Sequence, residues 1–105
     1  MEEKISKDGQ FNEEQVLELK KKHGRVWIAE ADDAVAYFRK PTRQEVSYAI
    51  SLLNNNKMVE FIEHVLTSCY IGGSKRFTED IDYMLGASAV VQDMVKAKTV
   101  EVKNA

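Results

Sequence analysis

The sequence predicts an α+β domain: an N-terminal helix, one antiparallel β-hairpin, then a bundle of about three α-helices. Three observations lead there. Two runs rich in β-branched and aromatic residues, 25–31 and 34–39, flank the polar pair Asp32-Asp33, which is the pattern of a hairpin. The only proline, Pro41, comes directly afterwards and is followed by Thr42 and Glu45. An extended Lys40 therefore hands over to a helix opened by a Thr-x-x-Glu capping box. Beyond this junction apolar residues recur at three- and four-residue steps, the period of helices that bury one face.

Taken in order, residues 1–10 read as a solvated arm, 11–98 as a single domain and 99–105 as a tail with weak strand character. Asn12 can cap the first helix. Glu13 and Glu14 suit its positive end, Lys20, Lys21 and Lys22 its negative end, and Gly24 after His23 stops it. Phe11, Val16, Leu17 and Leu19 form its thin apolar side. In the first strand Val26, Ile28 and Ala31 are expected on one face and Trp27 on the other. In the second, Val35 and Tyr37 oppose Ala36 and Phe38. Both faces thus carry apolar residues, and a two-stranded hairpin is marginal alone. Helices must cover at least one face, leaving the other for a subunit or partner.

The helix after Pro41 carries Val46, Ala49, Ile50 and Leu53 as its apolar stripe and breaks at Asn54-Asn55-Asn56. A second, over about 57–70, is expected to bury Met58, Ile62, Val65, Leu66 and Cys69, with Gly72-Gly73 as its stop. After a basic loop at 74–77, Thr78 is placed to cap a third long helix, with Glu79, Asp80 and Asp82 near its positive end. Ile81, Met84, Leu85, Ser88, Val91 and Val95 form its stripe, widened by Ala87, Ala89, Val90 and Met94. So wide a face is buried on two sides or docks a partner.

Composition narrows the function classes. The 105 residues suffice for one modest core, and 44% hydrophobic with 30% charged residues is ordinary for a globular chain. A formal charge of -2 gives no global pull toward nucleic acid or anionic membrane. The single cysteine, Cys69, excludes an intrachain disulfide and fits a reducing compartment. The polar start of the chain lacks the basic and apolar regions of a signal peptide, and no window reaches the roughly 18 apolar residues of a membrane helix. Neither export by that route nor a membrane is expected.

No catalytic constellation emerges. Asp80 and Asp82 do not share a helix face, because positions three or four apart do, and their placement suits the helix dipole. His64 and Cys69 lie about 140° apart around a helix, and no His-x-x-x-His pair exists to found a metal site. Gly72-Gly73-Ser74-Lys75 lacks the spacing of a phosphate-binding loop and follows a helix rather than a strand. The expectation is a protein without enzymatic activity, cofactor or metal. Two basic groups remain: Lys20-Lys21-Lys22-His23-Gly24-Arg25, and Arg39-Lys40 with Arg43. They would hold nucleic acid through phosphate contacts, with Trp27, Tyr37 or Phe38 for stacking. The net negative charge favours a solvated rim instead.

Four segments carry a family resemblance: His23-Gly24-Arg25-Val26-Trp27, Tyr37-Phe38-Arg39-Lys40-Pro41-Thr42-Arg43, Cys69-Tyr70-Ile71-Gly72-Gly73-Ser74, and Glu79-Asp80-Ile81-Asp82. In their order, over residues 23–98, the chain resembles the small tail assembly chaperones of long-tailed bacteriophages and prophages. The resemblance implies a non-enzymatic helper in the cytoplasm of the infected bacterial host. It would bind the long helical tape measure protein, keep it soluble and aid assembly of tail-tube subunits. No catalytic residue is implied. A shield for an aggregation-prone helix needs adaptable apolar surface, which Met58, Met84 and Met94 can supply. Trp27, Tyr37, Phe38 and Tyr70 are the expected aromatic anchors, with Arg39 and Arg43 beside them. A virion connector or decoration subunit, and a small nucleic-acid-binding or regulatory module, are the alternatives. Oligomeric state stays open.

Overall fold

Local chemistry sets the first elements much as expected. In the computed structural model, which describes residues 7–96 and 100–105, Asn12 opens α1 (Glu13–His23). Its side chain accepts from the Gln15 amide while the Gln15 side chain accepts from the Asn12 amide. Gly24, at φ 79°, ends the helix and returns its N–H to the Lys20 carbonyl. Strands β1 (Val26–Glu30) and β2 (Val35–Arg39) pair antiparallel with Trp27 opposite Phe38, Ile28 opposite Tyr37 and Ala29 opposite Ala36. The turn closes through Ala31 N–H to the Ala34 carbonyl. Ala31 packs with Trp27 against the core, not with Val26 and Ile28: it lies just past the strand, on the parity of Ala29.

The hairpin is part of a three-stranded sheet. Residues expected to finish a helix form β3 (Tyr70–Gly73), antiparallel to β2, giving the order β1-β2-β3. Gly72 and Gly73 are therefore strand residues, and the helix before them stops at Cys69. Their lack of a side chain serves close approach. A Cβ on Gly72 would meet the Phe11 ring at 2.6 Å, and one on Gly73 would meet the Val35 carbonyl oxygen at 2.5 Å. Register shifts between Tyr37 and Phe38, a bulge that leaves Ile71 out of the pairing.

Thr42 and Glu45 form the expected reciprocal cap at the start of α2 (Arg43–Asn54). The helix breaks at Asn55 and Asn56, the latter at φ 59°, and α3 (Met58–Cys69) begins. The C-terminal part is three short helices in place of one long one: α4 (Arg76–Glu79), α5 (Ile81–Gly86) and α6 (Ser88–Met94). Thr78 lies inside α4. Asp80 is the residue that caps α5, accepting from the Asp82 amide.

One face of the sheet supplies Ala29, Ala36 and Phe38 to the core, which α3 crosses with Phe61, Val65, Leu66 and Cys69 and α4 to α6 close with Phe77, Met84, Val91 and Met94. On the opposite face Tyr37 is buried against Phe11, whereas Ile28, on the side of α1, stays 47% exposed. The Phe11 and Tyr37 rings stack at 4.6 Å, and Tyr37 Oη accepts from the Phe11 amide. The segment read as a solvated arm is tied down from Lys7 onward. The Asp8 amide donates to the Asp33 carbonyl, the Val35 amide to the Asp8 carbonyl, and Ser74 Oγ to the Asp8 carboxylate at 2.6 Å. Residues 1–6 and 97–99 lie outside the described residues, and 100–105 carry no regular structure.

Candidate docking surface

The core claims most of the side chains that composition made attractive as anchors. Phe38 is fully buried, and Tyr37, Met84 and Met94 are buried too. A residue shut between sheet and helices cannot anchor a partner without unfolding. Tyr70 is half-buried, its ring edge-on to Phe38 and its hydroxyl donating to the Gly73 carbonyl, so it braces the sheet. Trp27 is half-buried: its Nε1 donates to Asp93 Oδ2 at 2.7 Å, and the Arg25 guanidinium stacks 4.4 Å from its ring. These contacts fasten β1 to α6.

Arg39 is likewise spoken for. Its guanidinium grips the Glu45 carboxylate with two bonds of 2.9 Å and donates to the Ser68 carbonyl at 2.7 Å. This bidentate pair pulls Glu45 down from its ordinary value near 4.5 to about 2. Arg43 stays exposed. The two basic groups thus do not act as one: Arg25 and Arg39 are paired, while Lys20, Lys21 and Lys22 remain on an exposed helix end.

What the structure leaves exposed lies elsewhere. The α2–α3 hairpin packs on the rest of the domain through α3, and α2 packs mainly on α3. Ala49 and Leu52 fill the α2 side of that contact, so Ile50, expected on the buried stripe, turns outward and is 48% exposed. Met58 shares the face of Phe61, Ile62 and Val65 on α3, yet is 50% exposed. As the first residue of the helix, it overhangs the end of the core. Val59 beside it is 47% exposed. Ile50 stands about one turn from the end of α2 and Met58 and Val59 open α3, so all three lie toward the closed tip of the hairpin. On α5, Ile81 and Leu85 are exposed one turn apart. Met58, Ile50, Ile81 and Leu85 all carry the right period for burial; what period cannot reveal is whether the domain supplies a partner surface at that end.

A second group was missed by sequence reasoning. Asp33 in the hairpin turn accepts from Tyr83 Oη at 2.8 and 2.9 Å and from Arg76 Nη1 at 2.8 Å. Arg76 also lies 3.7 Å from Asp8. The Tyr83 hydroxyl, then the Arg76 charge, hold Asp33 below the usual carboxylate range against its desolvation. No local signal in the chain announces this cluster, since Asp8, Asp33, Arg76 and Tyr83 come from four separate segments.

Among the described residues no three His, Cys, Asp or Glu side chains approach closely enough to hold a metal ion, and no helix is long and apolar enough to cross a membrane. Comparison with protein-family models, curated proteins and solved structures returns no match for this chain.

Proposed function

We propose that this protein is a non-enzymatic interaction protein that shields an apolar helical segment of a larger partner, in the manner of a phage tail assembly chaperone acting on the tape measure protein and aiding tail-tube assembly in the bacterial cytoplasm. The observation that carries the reading is the α2–α3 tip, where Ile50, Met58 and Val59 are each about half exposed on a hairpin braced from one side only. A soluble domain that keeps aliphatic residues on a projecting helical end has a surface suited to an amphipathic helix. Met58 adds a side chain that reshapes to its partner. The family resemblance of residues 23–98 supplies the particular partner.

The test is co-expression with the longest coiled-coil protein encoded nearby, scored by whether that protein becomes soluble and co-purifies. Rescue that is lost on Ile50→Asp or Met58→Asp supports the reading. Absence of binding and of any gain in solubility overturns it. Variants at Phe38 are unsuitable, since that side chain is fully buried.

A further inference from the structure

Away from the α2–α3 tip, the hairpin turn and α5 enclose a cleft of about 480 Å³, within the size range of sites that take a side chain or small ligand. Its floor is apolar, made by Ala29, Ala31, Phe77, Ala87 and Val90. The small residues create the hollow: on Gly86, at its wall, an added Cβ would meet no atom within 4 Å. Every charged side chain lining the cleft is acidic: Glu30, Asp32, Asp33 and Asp82. Two of these are answered internally, Glu30 by Lys7 at 2.7 Å and Asp33 by Arg76 at 2.8 Å. Among the described residues, Asp32 and Asp82 have no ion-pair partner, so the rim carries two uncompensated carboxylates above an apolar floor.

We infer that this cleft is a second docking site, for a basic amphipathic segment of a partner protein that inserts a lysine or arginine. Such a side chain has an aliphatic stem and a charged head. The stem lies on the alanine, phenylalanine and valine floor, and the head reaches Asp32 and Asp82 at the rim. A purely apolar segment would bury those carboxylates unpaired, and an acidic one would meet like charge, so the cleft discriminates by charge as well as shape. The site is independent of the α2–α3 tip and does not rest on the chaperone reading.

The experiment is a titration of the ¹⁵N-labelled full chain with an acetylated, amidated helical peptide of leucine and lysine only, followed by amide shifts. The leucine–glutamate counterpart serves as control. The expected result is shifts confined to the hairpin turn, Phe77 and residues 82–90 with the basic peptide and none there with the acidic one. Gly86→Trp, which fills the hollow in open space, and Asp82→Lys, an exposed charge reversal, should each weaken binding at least about tenfold while leaving the remaining spectrum folded. Shifts centred elsewhere on the surface, equal binding of the acidic peptide, unchanged affinity in both variants, or no shifts overturn the inference.

Discussion

Arg39 and Glu45 face each other across the junction between β2 and α2, joined by two parallel hydrogen bonds of 2.9 Å. The carboxylate does two tasks at once, since Oε1 also accepts from the Thr42 amide and so completes the helix cap. A single side chain therefore fixes both the start of α2 and its angle to the sheet. Its pKa falls from about 4.5 to about 2 on folding, and a depressed carboxylate stabilises the fold above its unfolded value. That contribution is complete above about pH 5 and disappears as the pH falls toward 2. The pair is partly solvated, which holds its worth to about 2 kcal/mol. Urea unfolding of wild type and Glu45→Gln should differ by about that amount at pH 7 and converge near pH 2. A gap that does not change with pH would refute the assignment.

Glycines at positive φ separate conformational strain from collision. Gly24 (φ 79°) faces open space, whereas Gly73 (φ 95°) lies against the Val35 carbonyl oxygen and the Ala36 Cα. Gly24→Ala should cost about 2 kcal/mol, because at φ 79° and ψ -124° the backbone lies outside the left-handed helical region, where almost only glycine is found. Gly73→Ala adds a clash with backbone that cannot rotate away, and should cost more than about 2 kcal/mol. Thermal melts of the two variants, compared at matched pH, check the ranking; equal losses would mean that β2 and β3 can part to admit a methyl group.

The elements legible in the sequence were those whose chemistry is local. Asn12 with Gln15, Thr42 with Glu45, the Asp32-Asp33 turn and the Asn55-Asn56 break each act within a few residues, and each appears as read, with Gln15 completing the Asn12 box. β3 was illegible because its cause is distant: Gly72 is required by Phe11 and Gly73 by Val35, both far away in the chain. The same two glycines fit a helix stop equally well on local grounds. The long C-terminal helix failed for a related reason. Asp80, two residues past the expected cap Thr78, opens α5 and leaves Thr78 in a separate turn, and the apolar run itself divides at Ala87, between α5 and α6, where period alone shows continuity. The expected anchors failed on burial, since aromatic character marks core and interface alike, and Tyr37 and Phe38 were needed on the two faces of the central strand.

Cys69 offers a direct probe of core integrity. Its thiol is fully buried and is pushed up to about 11, chiefly by burial, with the Glu45 charge adding to the effect. Reaction requires the thiolate and access for the reagent, and the folded chain denies both. A thiol-alkylating reagent at pH 8 should leave the native protein unlabelled for as long as it stays folded and label it stoichiometrically in denaturant. Prompt labelling without denaturant would show that the seam between α3 and the sheet opens readily.

Stability and docking should part cleanly between the core and the α2–α3 tip. Phe38→Ala empties a fully buried site between the sheet and its helices, and loss of such a side chain costs about 3–5 kcal/mol, much of the stability of a domain this size. Ile50→Asp and Met58→Asp act at positions already about half exposed, where an added carboxylate remains hydrated, so each should change unfolding free energy by less than about 1 kcal/mol. The tip variants are then folded proteins lacking only the apolar surface, and their failure to solubilise a coiled-coil partner would report on docking alone. A large stability loss in Ile50→Asp would place that side chain in the working core and remove the tip as a docking surface.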